Sequence, residues 1–202
     1  DSFNFGSRFP DFDPYPVHSN SPVARGDNHG TSVAGMAAAR GGNGIGLTGA
    51  APYANVAGLR VDFRNRYPRQ FADATAYHST GDEPTIDIKN HSYGKIFPYV
   101  ADWAQVESLA MSAAAGTIHV VSAGNGRTGN RVGDSNKKAL QNSIDTITVG
   151  ALAFNETFAS YSSWGANLFV TAPSSGQGLG IYTTDRTGAG IDGGYNYLAG
   201  GG

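Results

Sequence analysis

Short apolar runs rich in β-branched residues recur along the chain at residues 55–61, 85–89, 117–121, 146–149 and 168–171. They predict strands. Helix-like stretches at residues 71–78 and 101–115 fall between several of them. Strands alternating with helices predict parallel crossover units and a sheet covered on both faces, with its active site at the carboxyl ends of the strands. Residues 30–40 contain Thr31, Ser32, Val33, Ala34, Gly35, Met36, Ala37, Ala38 and Ala39, followed by Gly41 and Gly42. So many small side chains predict a tightly packed, buried helix with a glycine stop. The opening 27 residues, with Asp-Phe-Asp-Pro-Tyr-Pro at 11–16, read as irregular loop. No repeat, linker or low-complexity tract divides the chain, so residues 1–202 read as one domain.

Composition narrows the classes of function. A hydrophobic content of 40%, with 10 Tyr and 10 Phe, can supply a core. Only 15% of residues are charged and the formal net charge is -2, which gives no broad field to attract nucleic acid or an anionic membrane. No window reaches the roughly 18 apolar residues of a membrane span. Cysteine is absent, excluding disulfides and thiolate metal sites. The 29 glycines cluster between apolar runs, as in an enzyme of many turns. The chain starts at Asp1 and closes on Leu-Ala-Gly-Gly-Gly, so both ends read as cut.

The sharpest chemical signal is Asn28-His29-Gly30-Thr31-Ser32-Val33-Ala34-Gly35, a histidine opening the small-residue helix. There His29 can present its imidazole at the edge of the sheet, while Gly30 and Gly35 let the helix backbone approach neighbouring strands. His18, His78, His91 and His119 have no such setting. Further along, Asn125 stands between Gly124 and Gly126 after an apolar run, which by itself describes a turn. Ser92-Tyr93-Gly94 likewise follows an apolar run and by itself describes a strand end.

Together these segments resemble the subtilisin family of serine peptidases, in its kexin and furin branch. The histidine motif His-Gly-Thr-His-Val-Ala-Gly is matched except at Ser32, and bacterial kexin-like members commonly carry serine there. The resemblance implies a three-layer α/β/α fold with a mainly parallel sheet, truncated at both ends, and serine endopeptidase activity. It makes His29 the general base and Asn125 the oxyanion donor, and it implies that an extended peptide or protein substrate lies along Ser92, Tyr93, Gly94, Ser122, Ala123 and Gly124. The residues 148–152, 159–165 and 170–173 match the family's run before the nucleophile and read as core and pocket wall. Export from the cytoplasm, and a propeptide or companion β-domain outside this chain, follow from the same resemblance.

The chain departs from the family in three respects. The triad's aspartate strand and its Gly-Thr-Ser nucleophile do not occur, so a complete triad needs residues beyond these 202. An inactive peptide-binding or adhesion module of the same fold is the alternative. Alignment puts Phe97 and Lys138 where furin carries the carboxylates of its basic-residue pocket, so dibasic processing is not expected.

The resemblance also implies calcium. Arg40-Gly41-Gly42-Asn43-Gly44-Ile45-Gly46-Leu47 is similar to the family's calcium loop, with Asn43 binding through its side chain and Arg40, Ile45 and Leu47 through carbonyls, or Gly41 in place of Arg40. A second kexin-type site maps onto Asn4, Asp11 and Asp13, where a solvated acidic loop is the plain alternative.

Overall fold

The computed structural model describes residues 2–7, 11–16, 28–63, 69–79, 86–128 and 131–185. The chain divides into two units, one drawn from Asp1–Arg60 and Gly178–Gly202 and the other from Val61–Gln177. The expected loop residues 17–27, the start of the 85–89 run and the closing residues 195–202 lie outside the described residues.

In the first unit, β1 (Phe3–Asn4) pairs in parallel with β2 (Leu59–Arg60), Phe3 opposite Leu59 and Asn4 opposite Arg60. The opening segment is therefore not wholly loop, and the 55–61 run contributes only two residues to a strand. The Phe3 ring packs on Phe5 at 4.7 Å and edge-on against Phe12 at 5.4 Å, an apolar contact available to a segment otherwise full of turn residues.

Helix α1 (His29–Ala38) opens on His29, as the motif suggests, and Asn28 makes no side-chain cap. Only Gly35 is buried, so the helix is not the buried element its composition predicts. The small residues serve local approach instead. A Cβ on Gly35 would sit 2.7 Å from Thr183 Oγ1 and collide with Thr184 Oγ1. The Thr183 hydroxyl donates to the Ser32 carbonyl and Thr184 to that of Thr31. Gly30, by contrast, meets nothing within 4 Å, so only one of the two glycines has a packing role here. The last carbonyls of α1 are satisfied by the returning chain, with Gly49 N donating to Ala39 O, Ala50 N to Met36 O and Ala51 N to Ala37 O.

The second unit holds α2 (Gln70–Ala76), β3 (Ile88–His91), α3 (Trp103–Ala114), β4 (Ile118–Ser122), β5 (Thr146–Leu152) and β6 (Leu168–Pro173). The four strands form one sheet in sequence order, every pairing parallel, with His91 opposite Val121 and Ser122 opposite Val149. Helix α3 is alanine-rich, starts on the Asp102 carboxylate, which accepts from Gln105 N, and ends at Gly116 with φ +106°. Leu109 of α3, Val121 of β4 and Leu140 form the apolar core, with Tyr93 packed against it. On the opposite side of the strands Ile88 and Ile118 remain 61% and 47% exposed. The chain passes from β4 to β5 and from β5 to β6 through loops and a single short 3₁₀ turn (Ser135–Lys137), not helices.

The helix-facing side of this sheet is polar. Lys89 is buried, and its ammonium donates to the carbonyls of Ala74, Thr75 and Tyr77 at 3.0, 2.7 and 2.6 Å, occupying the orphan acceptors at the end of α2. Beside it runs a continuous chain of side-chain hydrogen bonds. Gln105 Nε2 meets Tyr93 OH at 2.8 Å, Tyr93 OH meets His91 Nδ1 at 2.9 Å, and His91 Nε2 meets His119 Nδ1 at 2.9 Å. His119 Nε2 then reaches Ser112 Oγ at 2.9 Å, Ser112 Oγ donates to Ser79 Oγ at 2.7 Å, and Ser79 Oγ donates to Thr75 O at 3.1 Å.

This chain has a donor-only amide at one end and an acceptor-only carbonyl at the other, so every hydrogen must point the same way. That assigns both imidazoles as neutral Nε2–H tautomers. A proton added to His119 Nδ1 would face the His91 Nε2–H, and both rings accordingly titrate low. Burial, then the neighbouring His119 and Lys89, bring His91 down to about 3, and burial followed by Lys89 brings His119 down to about 4.

Below pH 6.5 the unfolded chain therefore binds protons that the folded chain refuses, and stability falls with pH, by up to about 1.4 kcal/mol per unit for each histidine. The loss deepens until the pH reaches about 4 for His119 and about 3 for His91. Urea unfolding followed from about pH 7.5 down to about pH 4.5 should show the midpoint dropping throughout the acid half of that range; a level midpoint would contradict the neutral chain.

Candidate active site

Parallel pairing ends β3 and β4 at the same edge, and the residues that follow them fall side by side. At this edge a cavity of about 240 Å³ is lined by Ser92, Ser122, Ala123, Gly124, Asn125, Ala151, Ser162 and Ser174, among others. Seven of the sequence-derived candidates belong to this unit. Ser92, Ser122, Ala123, Gly124 and Asn125 share the cavity, and Gly94 lies just beyond it.

Asn125 is exposed, three residues past the end of β4, and among the described residues its carboxamide has no hydrogen-bond partner. The backbone around it is fixed. Gly124 adopts φ +100°, a conformation that favours glycine, and its carbonyl accepts from Ser163 N at 2.8 Å. Gly126 N donates to Ser163 Oγ at 3.1 Å, and a Cβ on Gly126 would collide with the Val132 carbonyl. A free amide on a clamped backbone is suited to donate to a developing oxyanion without reorganising.

Residues 92–94 run past the sheet ladder, and among the described residues no main-chain hydrogen bond engages their N–H groups. They are open to pair with an extended chain. Ser92 Oγ is held by Asn90 Nδ2 at 2.8 Å. Tyr93 turns inward, its ring against Phe63 and Phe71 and its hydroxyl in the buried polar chain, so it anchors the segment and does not face a ligand. Burial pushes the Tyr93 phenol far above its ordinary value.

Sequence reasoning placed Lys138 at the pocket by alignment but missed the rest of the floor beneath these two segments. Gln141, 2% exposed, donates through Nε2 to Tyr93 O at 3.3 Å and Ser122 O at 3.1 Å, tying the two strand ends together. Lys138 Nζ donates to Ala123 O at 3.2 Å. Asp134 caps its own 3₁₀ turn through Asn136 and pairs with Lys137 at 3.9 Å. Phe97 is exposed. Gln141 carried no signal of its own, because it stands in a loop with no periodicity.

The remaining candidates belong to the first unit. His29 is exposed at the first position of α1. In the loop after α1, Gly42, Gly44 and Gly46 take φ of +74°, +72° and +66°, so left-handed glycines alternate with Gly41, Asn43, Ile45 and Leu47. Asn43 Oδ1 accepts from Ile45 N at 3.0 Å, which orients that oxygen and leaves a lone pair. Arg40 precedes the turn, its guanidinium over the Tyr53 ring at 5.9 Å.

Asn4 and Asp11 do come together, but through an amide. Asn4 Nδ2 donates to Asp11 Oδ2 at 2.9 Å, while Asn4 Oδ1 accepts from Arg60 Nη1 at 3.0 Å and Gly6 N at 3.1 Å. Asp13 Oδ1 accepts from Tyr15 N at 3.0 Å. With a guanidinium on Asn4 Oδ1, this group does not suit a cation, and no cluster of three metal-binding His, Cys, Asp or Glu occurs among the described residues.

The parallel sheet with its site at the carboxyl edge defines an α/β fold of the subtilisin type. Residues 7–194 match the model of the subtilase family, and the chain belongs to that family. It is similar to mouse proprotein convertase subtilisin/kexin type 7, at 28% identity over 198 residues covering 91% of this chain and 24% of that protein, in keeping with a kexin-like branch. Among solved structures it is similar to a protease of Pseudoalteromonas arctica PAMC 21717, with a TM-score of 0.70, 26% identity, and 88% of this chain covering 57% of that one. It is also similar to a serine protease of Aeromonas sobria, with a TM-score of 0.66, 29% identity, and 84% of this chain covering 32% of that one. The chain thus spans between a quarter and somewhat over half of the length of these relatives.

The clamp on Asn125 gives a direct test. Gly126→Ala must displace the Val132 carbonyl, and urea unfolding should register a loss of about 1–3 kcal/mol. Wild-type stability in that variant would show that the turn is not constrained as described.

Proposed function

We propose that the whole protein is a serine endopeptidase in which His29 is the general base and Asn125 the oxyanion donor. The observation that carries this reading is the Asn125 carboxamide, unpartnered among the described residues, on a fixed backbone beside the open 92–94 segment. A peptide pairs with residues 92–94, and a serine hydroxyl attacks its carbonyl carbon while His29 takes the hydroxyl proton. The carbonyl oxygen becomes an oxyanion against Asn125 Nδ2. As the intermediate collapses, His29 gives the proton to the leaving amine. The serine and the aspartate that orients His29 are not among these 202 residues in the family's motifs, so the activity belongs to the whole protein.

Calcium at the 40–47 turn is part of the proposal. The alternating left-handed glycines and the oriented Asn43 oxygen suit a hard cation, with Arg40, Ile45 and Leu47 giving carbonyls. Bound there, the ion would fix a turn whose two ends are already tied to α1. Export and a folding partner complete the reading. The Aeromonas sobria protease has been solved in complex with a chaperone, and a propeptide or companion β-domain would serve this chain similarly.

In the whole protein His29→Ala should abolish peptide cleavage, and turnover at the wild-type rate would reject the general-base role. Asn125→Ala should lower kcat by about 100- to 1,000-fold with KM little changed, a scale measured on a subtilisin. If the intact protein binds peptides and cleaves none, the alternative of an inactive peptide-binding module replaces this one. Excess calcium should raise the melting temperature, and Asn43→Ala should remove most of that rise; an identical rise in the variant would place the ion elsewhere.

A further inference from the structure

Among the described residues of the second unit, Lys138 is the one buried cation without an evident structural purpose. It is 7% exposed, and among the described residues its ammonium has a single acceptor, Ala123 O, for three donors, and no carboxylate pairs with it. Lys89, equally buried, has three carbonyls. A Cβ on Gly124 would collide with Lys138 Nζ, and one on Gly94 would come within 2.6 Å of Gln141 Nε2, so both glycines lie directly over these polar ends. Gln141 spends both amide hydrogens on Tyr93 O and Ser122 O, which leaves Oε1 buried with no partner. The floor between residues 92–94 and 122–124 is thus a cation with spare donors beside an orphan acceptor, in a place where a desolvated charge is costly.

A peptide whose carbonyl oxygen rests on Asn125 has the α-carbon of the same residue one bond from that carbonyl. Gly124 lines the cavity beside Asn125, and the Lys138 ammonium lies where a Gly124 side chain would be, so a side chain entering over residues 122–124 meets it. We propose that Lys138 selects peptides with a carboxylate side chain on the residue that supplies the scissile carbonyl. This deepens the endopeptidase reading and rests on it. A glutamate or aspartate there supplies the missing anion, its protonated form or an amide supplies less, and a lysine or arginine brings a second cation onto the first. Asp134 and Asp145 do not compete, since the first is engaged with Asn136 and Lys137 and the second with Ser143.

The test is a panel of peptides, offered to the whole protein, identical except for Glu, Gln, Leu or Lys at that position. The Glu peptide should exceed its Gln isostere by about ten- to a hundred-fold in kcat/KM, with Lys poorest. Equal rates for Glu and Gln, or faster cleavage of Lys, would overturn the proposal with no variant needed. Lys138→Met should bring the Glu and Gln rates within about two-fold, and Lys138→Glu should favour the Lys peptide. Should no peptide be cleaved, the catalytic reading has failed while this one is still measurable: fluorescence anisotropy on the same panel would sustain it if Glu binds tighter than Gln, and refute it if they bind alike.

Discussion

The parallel pairing of β3 with β4, His91 opposite Val121, is the constraint on which the candidate site rests. It makes the two strands end together and releases residues 92–94 and 122–125 at one edge. It also sets His91 beside His119 on the helix side, while Asn90 and Val120 face the other way. Because side chains alternate along a strand, a slip of β4 by one residue would turn His119 out and shift Asn125 along the edge at the same stroke. The polar chain beneath the helices and the free amide at the rim are thus two results of one register.

That register is guarded by groups poorly suited to a slipped alternative. An apolar interface tolerates sliding, but the His91–His119 contact and the three carbonyls on Lys89 are satisfied in one arrangement only. The apolar core proper is small, with Leu109, Val121 and Leu140 at its centre. Buried polar networks contribute little net stability when complete and cost much when broken. The second unit therefore gains uniqueness of packing at the expense of tolerance to acid. Tyr93 carries this economy into the site, since its backbone belongs to the open segment and its hydroxyl to the chain.

How much of this was legible in sequence follows from the range of the interactions. The β4, β5 and β6 runs, α2, α3 and the turn around Asn125 were readable because each is set by local pattern and glycine punctuation. The β1–β2 pair was not, because two residues per strand leave no period to detect and their partners are more than fifty positions apart. Helix α1 was located but its burial was overread, because small side chains signal close approach by one neighbour as well as by many. His91 and His119 were set aside for lacking a motif, although each sits at an inward position of its strand. Only the register, which sequence does not supply, reveals that the two rings touch.

The same reasoning separates the two sites proposed for a cation. At residues 40–47 the oxygen donors come from backbone whose conformation is dictated by three glycines, and nothing positive lies among them in the described hydrogen bonds. At Asn4 and Asp11 the neutral side chain offers hydrogen as readily as oxygen. Once an amide N–H faces the carboxylate and a guanidinium takes the amide oxygen, the local charge is balanced without an ion. Exchanging one carboxylate for a carboxamide is sufficient, since it removes one of three negative charges that would draw a cation in and adds a donor that can stand in its place. A motif of oxygen-bearing residues can hold a metal only while its oxygens lack protein donors, and by that criterion the turn after α1 stays open to the proposed ion while the clasp at the start of the chain is closed by its own side chains.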